Sequence, residues 1–271
     1  ARGNDLQKNW QVELGNHVYK ATALSLAPTK KDGSFHWENL DLFYGTKGGF
    51  PLKFQRYYDS FMSREETALG YGWKNVPYEL VFPVAKTTMT VGESQTPISL
   101  IPQIIFMNWS DHKMLEFIPS RRMPDGSIIY APKGSTIEHQ VLILHPNGAY
   151  TLGSGGNELR FNAQGVVQSI EDRNGNEIFY DYDAEKKLTA IRDELTRYEI
   201  RLRYDQMKRV EQATGPDGRT VRYSYDTNGN LASVNYEWKN QTTRFDYNGD
   251  HQLVKATDHT GRRLFENSFD E

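Results

Sequence analysis

An aromatic residue followed by Asp or Asn returns six times in the second half of the chain, at Phe161-Asn162, Tyr182-Asp183, Tyr204-Asp205, Tyr225-Asp226, Tyr247-Asn248 and Phe269-Asp270, at intervals of 21, 22, 21, 22 and 22 residues. A fixed period of this length marks a repeat architecture, in which a unit unable to bury its apolar face alone stacks on its neighbours. Other positions keep the same phase. Six residues after the first five markers stand Val167, Leu188, Val210, Leu231 and Leu253, and nine after stand Ile170, Ile191, Ala213, Val234 and Ala256, all apolar. Fourteen after them stand Gly175, Thr196, Gly218, Lys239 and Gly261, and the glycines lie in the turn-forming contexts DRNGN, GPDGR and DHTGR.

Before each marker the chain alternates. In TVRYSYD, Val221, Tyr223 and Tyr225 share one face and Thr220, Arg222 and Ser224 the other; EIRLRYD repeats the pattern with Ile200, Leu202 and Tyr204. Period two predicts strands with one buried face. Asn-Gly turns such as Asn228-Gly229 in DTNGN then join them into hairpins, one per repeat. A lone hairpin is marginal in water, so the hairpins are expected to pair edge to edge. The fold class this predicts is all-β, an antiparallel strip of stacked hairpins with little helix. The 16 Tyr, 13 Phe and 22 Gly suit such a pleated, turn-rich structure.

At 271 residues the chain is long enough for one or two domains. The reading divides it into an N-terminal β region, 1–140, and a hairpin array, 141–271. The sequence stops just after the sixth marker. A strand there is an open pairing edge, so a fragment of a longer array is expected, with self-association through that edge.

The 35 acidic and 32 basic residues give a net charge of -3, which lacks the basic footprint of a nucleic-acid binder. Cysteine is absent, which removes disulfides and thiolate chemistry. The most apolar stretch, PISLIPQIIFM at 97–107, is interrupted by Pro102 and is too short for a membrane-spanning helix.

The pattern YDTNGNLASV, preceded by GPDGRTVRYSYD, resembles the YD repeat of Rhs proteins. The resemblance covers 145–271; YDAEKKLTAIRDELTRYEIRL departs from it by lacking both turn glycines, and YEWKNQT replaces the second turn of the unit starting at Tyr225. Upstream, residues of about 40–80 resemble the segment that introduces these repeats, with Arg56, Tyr57, Tyr58, Asp59 and Ser60 as one fingerprint and Leu69, Gly70, Tyr71, Gly72 and Trp73 as the other. The resemblance implies a strip that spirals into a hollow shell around a C-terminal polypeptide, often a toxin, delivered to another cell. It implies a secreted or cell-surface protein whose partners are the rest of its own shell and the enclosed polypeptide. The D-P-x-G-L self-cleavage core of that family does not occur here.

Candidate chemistry is thin beside this. DTNGN at 226–230 and DRNGN at 172–176 place oxygen ligands at alternate positions, but the glycine falls at the wrong place for a calcium loop, and an Asn-Gly turn accounts for both. The histidines His17, His36, His112, His139, His145, His251 and His259 show no zinc-binding spacing. Ser154 in LGSGGN lacks the frame of a nucleophile elbow, and Asp181 and Asp183 read as solvated charges. Trp10, Trp37, Trp73, Trp109 and Trp238 offer stacking platforms for a glycan, which gives the alternative reading, a surface glycan- or protein-binding module, although core packing is the commoner role. Arg56 reads as an ion-pair or hydrogen-bond hub. No catalytic residue, cofactor or metal is expected.

Overall fold

The alternating segments form nine antiparallel strands in succession: Glu177–Tyr182, Leu188–Asp193, Glu199–Tyr204, Val210–Thr214, Thr220–Tyr225, Leu231–Tyr236, Gln241–Tyr247, Leu253–Thr257 and Arg263–Glu266. Each is hydrogen-bonded to the next along the chain. This computed structural model describes residues 8–14, 17–23, 34–46, 50–82, 103–110, 113–133 and 140–269, the first two stretches by backbone alone. Trp10, His17, His112 and His139 therefore lie outside the described side chains. The fold is all-β; among the described residues the helical elements are the short 3-10 turns Ser60–Met62 and Glu237–Lys239. No helix there is long and apolar enough to cross a membrane.

The chain forms two units that interleave in sequence, one of residues 1–29 and 78–170, the other of 30–77 and 171–271. Within the second unit the introducing segment buries its apolar side chains against the hairpins of 171–271.

In the first unit, Tyr78–Val81, Ile104–Asn108, Lys113–Arg122, Ile128–Pro132, Val141–Leu144, Tyr150–Ser154 and Asn157–Phe161 pair antiparallel in that order. Gly165 returns to the first of them, its carbonyl accepting from the Leu80 amide at 2.9 Å. Lys8–Leu14 and His17–Ala23 form a separate hairpin.

In the second unit, His36–Tyr44 pairs with Leu52–Asp59, which pairs in turn with Trp73–Lys74. Phe54, Tyr57, Tyr58 and Trp73 from this small sheet are buried, as are all ten apolar positions phased to the repeat markers across the chain, from Val167 to Ala256. Phe54 meets Tyr223 edge-on at 6.2 Å, and Trp73 meets Phe245 at 5.5 Å. Burying faces of this size is the main favourable term in holding the segment on the strip.

The marker residues explain the period chemically. The Asp or Asn of the first five markers folds its own turn: Asp226 Oδ1 accepts from the amides of Asn228 and Asn230, Asp183, Asn248 and Asn162 do the same two and four residues on, and Asp205 Oδ1 accepts from the amide of Arg209. Four residues after each of the first five marker aromatics the backbone turns left-handed, at Gly165, Lys186, Lys208, Gly229 and His251. The turns without a glycine at the other end go left-handed one residue later, at Arg197 and Asn240.

Each hairpin then carries a bulge, between Asp181 and Tyr182, Arg203 and Tyr204, Ser224 and Tyr225, and Asp246 and Tyr247. The marker tyrosine reaches back across it to the preceding repeat. Tyr204, Tyr225 and Tyr247 donate to the carbonyls of Leu188, Val210 and Leu231 at 2.7, 2.7 and 3.0 Å. Burial pushes these three hydroxyls well above the usual phenol range, so they stay protonated donors.

Candidate functional site

Strand Leu52–Asp59 reads LKFQRYYD, an apolar face with an arginine in it. Its register against His36–Tyr44 shifts between Leu40 and Leu42, and across that irregularity Asp41 meets Arg56. Both are buried, Arg56 with 0% and Asp41 with 4% of its surface exposed. A charge in such a place requires a partner and a full set of hydrogen bonds. Arg56 Nε and Nη2 donate to the two oxygens of Asp41 at 2.5 and 3.0 Å. The same carboxylate accepts from Tyr223 and Tyr236, both at 2.7 Å, and from Asn39 at 3.0 Å.

The other side of the guanidinium faces rings: its carbon lies 4.9 Å from the centroid of Trp73, 5.7 Å from Phe245 and 5.8 Å from Tyr223. Arg56 Nη1 is buried without a hydrogen-bond partner, and this cage of π faces is its surrounding. Burial acts to discharge the guanidinium, but the Asp41 carboxylate outweighs it and holds Arg56 above its ordinary value. Burial pushes the Tyr223 and Tyr236 hydroxyls up as well, with Asp41 adding to the rise.

The remaining fingerprint residues attach the segment to successive hairpins. Tyr58 accepts from the Leu253 amide at 2.8 Å and donates to the His251 carbonyl at 3.3 Å, and Trp73 Nε1 donates to Tyr247 at 2.8 Å. The carbonyl of Ala68 accepts from the Val210 amide at 2.7 Å. Gly70, at φ +85°, sits so near the Gly229 turn that a Cβ on it would lie 2.6 Å from the Gly229 carbonyl oxygen. A Cβ on Gly72 would meet the Tyr58 ring at the same distance. Asp59 caps the 3-10 turn by accepting from the Phe61 amide, and Ser60 accepts from Phe35.

Several partners carried no sequence signal strong enough to be singled out: Asp41, Asn39, Tyr236, and Tyr44, which donates to Asp217 at 2.6 Å. For Asp41 a signal existed. An arginine inside an apolar strand calls for a carboxylate, and Asp41 interrupts the apolar run of NLDLFY.

The other candidates resolve into packing and turns. Oδ2 of Asp172 and of Asp226 accepts from Asn176 and Asn230, and both Oδ1 atoms cap backbone amides, so these oxygens are engaged in the turn itself. Asp181 pairs with Arg192, and Ser154 accepts from Gln140 at 2.8 Å. Among the described residues no group of three His, Asp or Glu is placed to hold a metal ion. Trp73 and Trp109 are buried; Trp37 packs on Phe265 at 4.1 Å, and Trp238 stands edge-on to Tyr236 at 5.6 Å. Among the described residues these four rings pack on the protein itself, Trp37 and Trp238 being part-buried.

The pairing, the phased turns and the segment stapled across them define an array of β-hairpin repeats. Residues 205–237, the stretch that contributes Tyr223, Tyr225 and Tyr236, are an RHS repeat by their match to the family of that description. No curated protein matches the sequence. Among solved structures, the N-terminal domain of effector protein SpvB from Salmonella typhimurium strain LT2 is similar at 10% identity and a TM-score of 0.35, over 81% of this chain and 98% of that one. A Tc holotoxin pore structure from Photorhabdus luminescens is similar at 11% identity and 0.30, and a TcdB2-TccC3-Cdc42 structure at 12% and 0.30. The chain covers 15% and 13% of the length of those two.

Proposed function

We propose that this chain is a structural, non-enzymatic part of an Rhs-type shell that encloses a C-terminal polypeptide, such as a toxin, and helps deliver it from a secreted or cell-surface protein. The observation that carries the reading is the joining of an introducing segment to successive hairpins of the array, with the buried Asp41–Arg56 pair of the segment accepting from Tyr223 and Tyr236 of the hairpins. Such joining makes a rigid wall, which is what enclosure demands. The partners are then the remainder of the shell and the polypeptide inside it.

The test is protease protection of a C-terminal polypeptide expressed in one chain with residues 1–271. The C-terminal polypeptide should survive a protease dose that destroys it when expressed alone, and should lose that protection when Asp41→Asn loosens the wall. Equal digestion in both contexts would refute enclosure. Glycan-dependent retention of the chain on cell surfaces, abolished by soluble sugar, would favour the binding-module alternative.

A further inference from the structure

The turn that follows Tyr225 carries an Asn-Gly step, Asn228-Gly229, and Thr227 and Asn228 are both exposed. Asparagine is among the thermolabile residues, and a following glycine has no Cβ to keep its amide nitrogen from the asparagine side chain. Such steps stand at Asn147, Asn174, Asn228 and Asn248. The side chains of the other three are tied down. Asn147 accepts from the Ala149 amide at 3.0 Å, and Asn174 reaches the Asp172 carboxylate. Asn248 accepts from the amides of Asp250 and Gln252 and donates to Gln252 Oε1 at 2.7 Å. Asn228 gives its backbone amide to Asp226 at 2.9 Å, and its side chain has no hydrogen-bond partner among the described residues. From this contrast we infer that Asn228 is a site of spontaneous deamidation, and that its isoaspartyl product unseats the introducing segment from this hairpin.

The Gly229 amide donates to the Asp226 carbonyl at 3.1 Å, and the reaction begins when that bond opens and a solvent base takes the amide proton. The nitrogen then bonds to Cγ of Asn228. The Cγ–Nδ2 bond breaks, and Nδ2 leaves as ammonia with a proton from water. Water opens the resulting succinimide at one of its two carbonyls. Attack at Cγ gives aspartate; attack at the backbone carbonyl carbon gives isoaspartate, whose main chain runs through Cγ and is longer by one methylene. The net change is asparagine and water to a carboxylic acid and ammonia, with nothing oxidised or reduced.

The longer chain matters because this turn has no slack. A Cβ on Gly70 would stand 2.6 Å from the Gly229 oxygen and 3.0 Å from the Leu231 nitrogen, and a Cβ on Gly229 would stand 3.3 Å from the Tyr71 ring. Asn230 is buried, donates to Asp226 at 2.9 Å and bonds His251 Nδ1 at 2.7 Å, and the His251 ring stacks on Tyr71 at 3.8 Å. A methylene inserted between residues 228 and 229 drives Gly229 and Asn230 against Gly70 and Tyr71, so the segment has to lift. The DRNGN turn is the internal contrast. A Cβ on Gly175 would meet nothing nearer than Glu171 Oε1 at 3.9 Å, which leaves room for the same product.

The experiment ages the whole chain in warm, mildly alkaline buffer and maps its peptides by mass spectrometry, with fragmentation that tells isoaspartate from aspartate. Isoaspartate at 228 should accumulate several-fold ahead of any at 147, 174 or 248. The thermal midpoint should fall in step with the fraction converted at 228. Trypsin should then cut several-fold faster after Arg64, which the seated segment holds to Asp250 at 2.8 Å. Asn228→Asp adds the charge without lengthening the chain and should keep the midpoint of the fresh protein, and Asn228→Ser should hold its midpoint through ageing. Conversion at 228 no faster than at 174 overturns the site. Isoaspartate at 228 with midpoint and Arg64 cleavage unchanged overturns the unseating.

Discussion

Arg56 donates two hydrogen bonds to Asp41 at a point where neither residue keeps contact with bulk water. Removing one member strands the other charge, a loss of about 3–5 kcal/mol in comparable buried pairs. Asp41→Asn and Arg56→Met should each lower unfolding stability in urea by that amount. The double variant Asp41→Asn/Arg56→Met should lose clearly less than the sum, because no unpaired charge remains. Additive losses would mean that the two residues act independently.

The left-handed residues separate strain from contact. Lys208 has φ +64° and holds only a surface ion pair with Glu185 at 2.8 Å. Lys208→Gly should therefore stabilise by up to about 1 kcal/mol. His251 shares the conformation, but its ring stacks on Tyr71 at 3.8 Å and bonds Asn230 at 2.7 Å. His251→Gly should destabilise despite relieving the same strain, and the opposite signs are readable from thermal midpoints.

Close approach at Gly215 gives a third test. A Cβ there would stand 1.9 Å from the Tyr44 hydroxyl oxygen, so Gly215→Ala should cost about 1–3 kcal/mol, the usual scale of overpacking. Placing it on Tyr44→Ala should cost far less, since the colliding ring is gone. Urea midpoints of the four proteins in that cycle decide it.

Stability should fall at both ends of the pH scale for different groups. The hydrogen bonds of Thr260 are the first cause that lowers Asp258 from 3.8 to about 2, and turn hydrogen bonds lower Asp172 and Asp183 as well. Depressed carboxyls stabilise the fold above their unfolded values and lose that contribution as pH falls from about 4 toward about 2. At the alkaline end, burial first and the Asp217 hydrogen bond second raise Tyr44 from 10.0 to about 12. A raised phenol stabilises fully below 10.0, and that share disappears as pH rises through about 12. Tyrosinate absorbance should therefore appear late and together with loss of β-sheet circular dichroism; early, gradual ionisation would contradict the burial.

The strands and the phase of the buried positions were legible in the sequence because they rest on local chemistry: alternation, Asp caps and Asn-Gly turns within one repeat. The hub was half legible. Arg56 stood out as an ion-pair or hydrogen-bond hub, whereas Tyr223 and Tyr236 meet Asp41 across separations of 182 and 195 residues that no local pattern encodes. The left-handed lysines were hidden for a related reason: Lys186 and Lys208 adopt φ +65° and +64° because the tertiary ladder fixes the turn, against their own preference.

The tyrosine hydroxyls that reach back across each bulge also define a mechanical element. Tension applied between the strand Arg263–Glu266 and the introducing segment would load hairpins one at a time, since the backbone ladder between neighbouring hairpins is reinforced by the phenols of Tyr204, Tyr225 and Tyr247. Force–extension curves would then step by one repeat, roughly 70–80 Å of released chain. The largest resistance would come where Tyr236 and Tyr223 anchor to Asp41, a built-in stop against peeling.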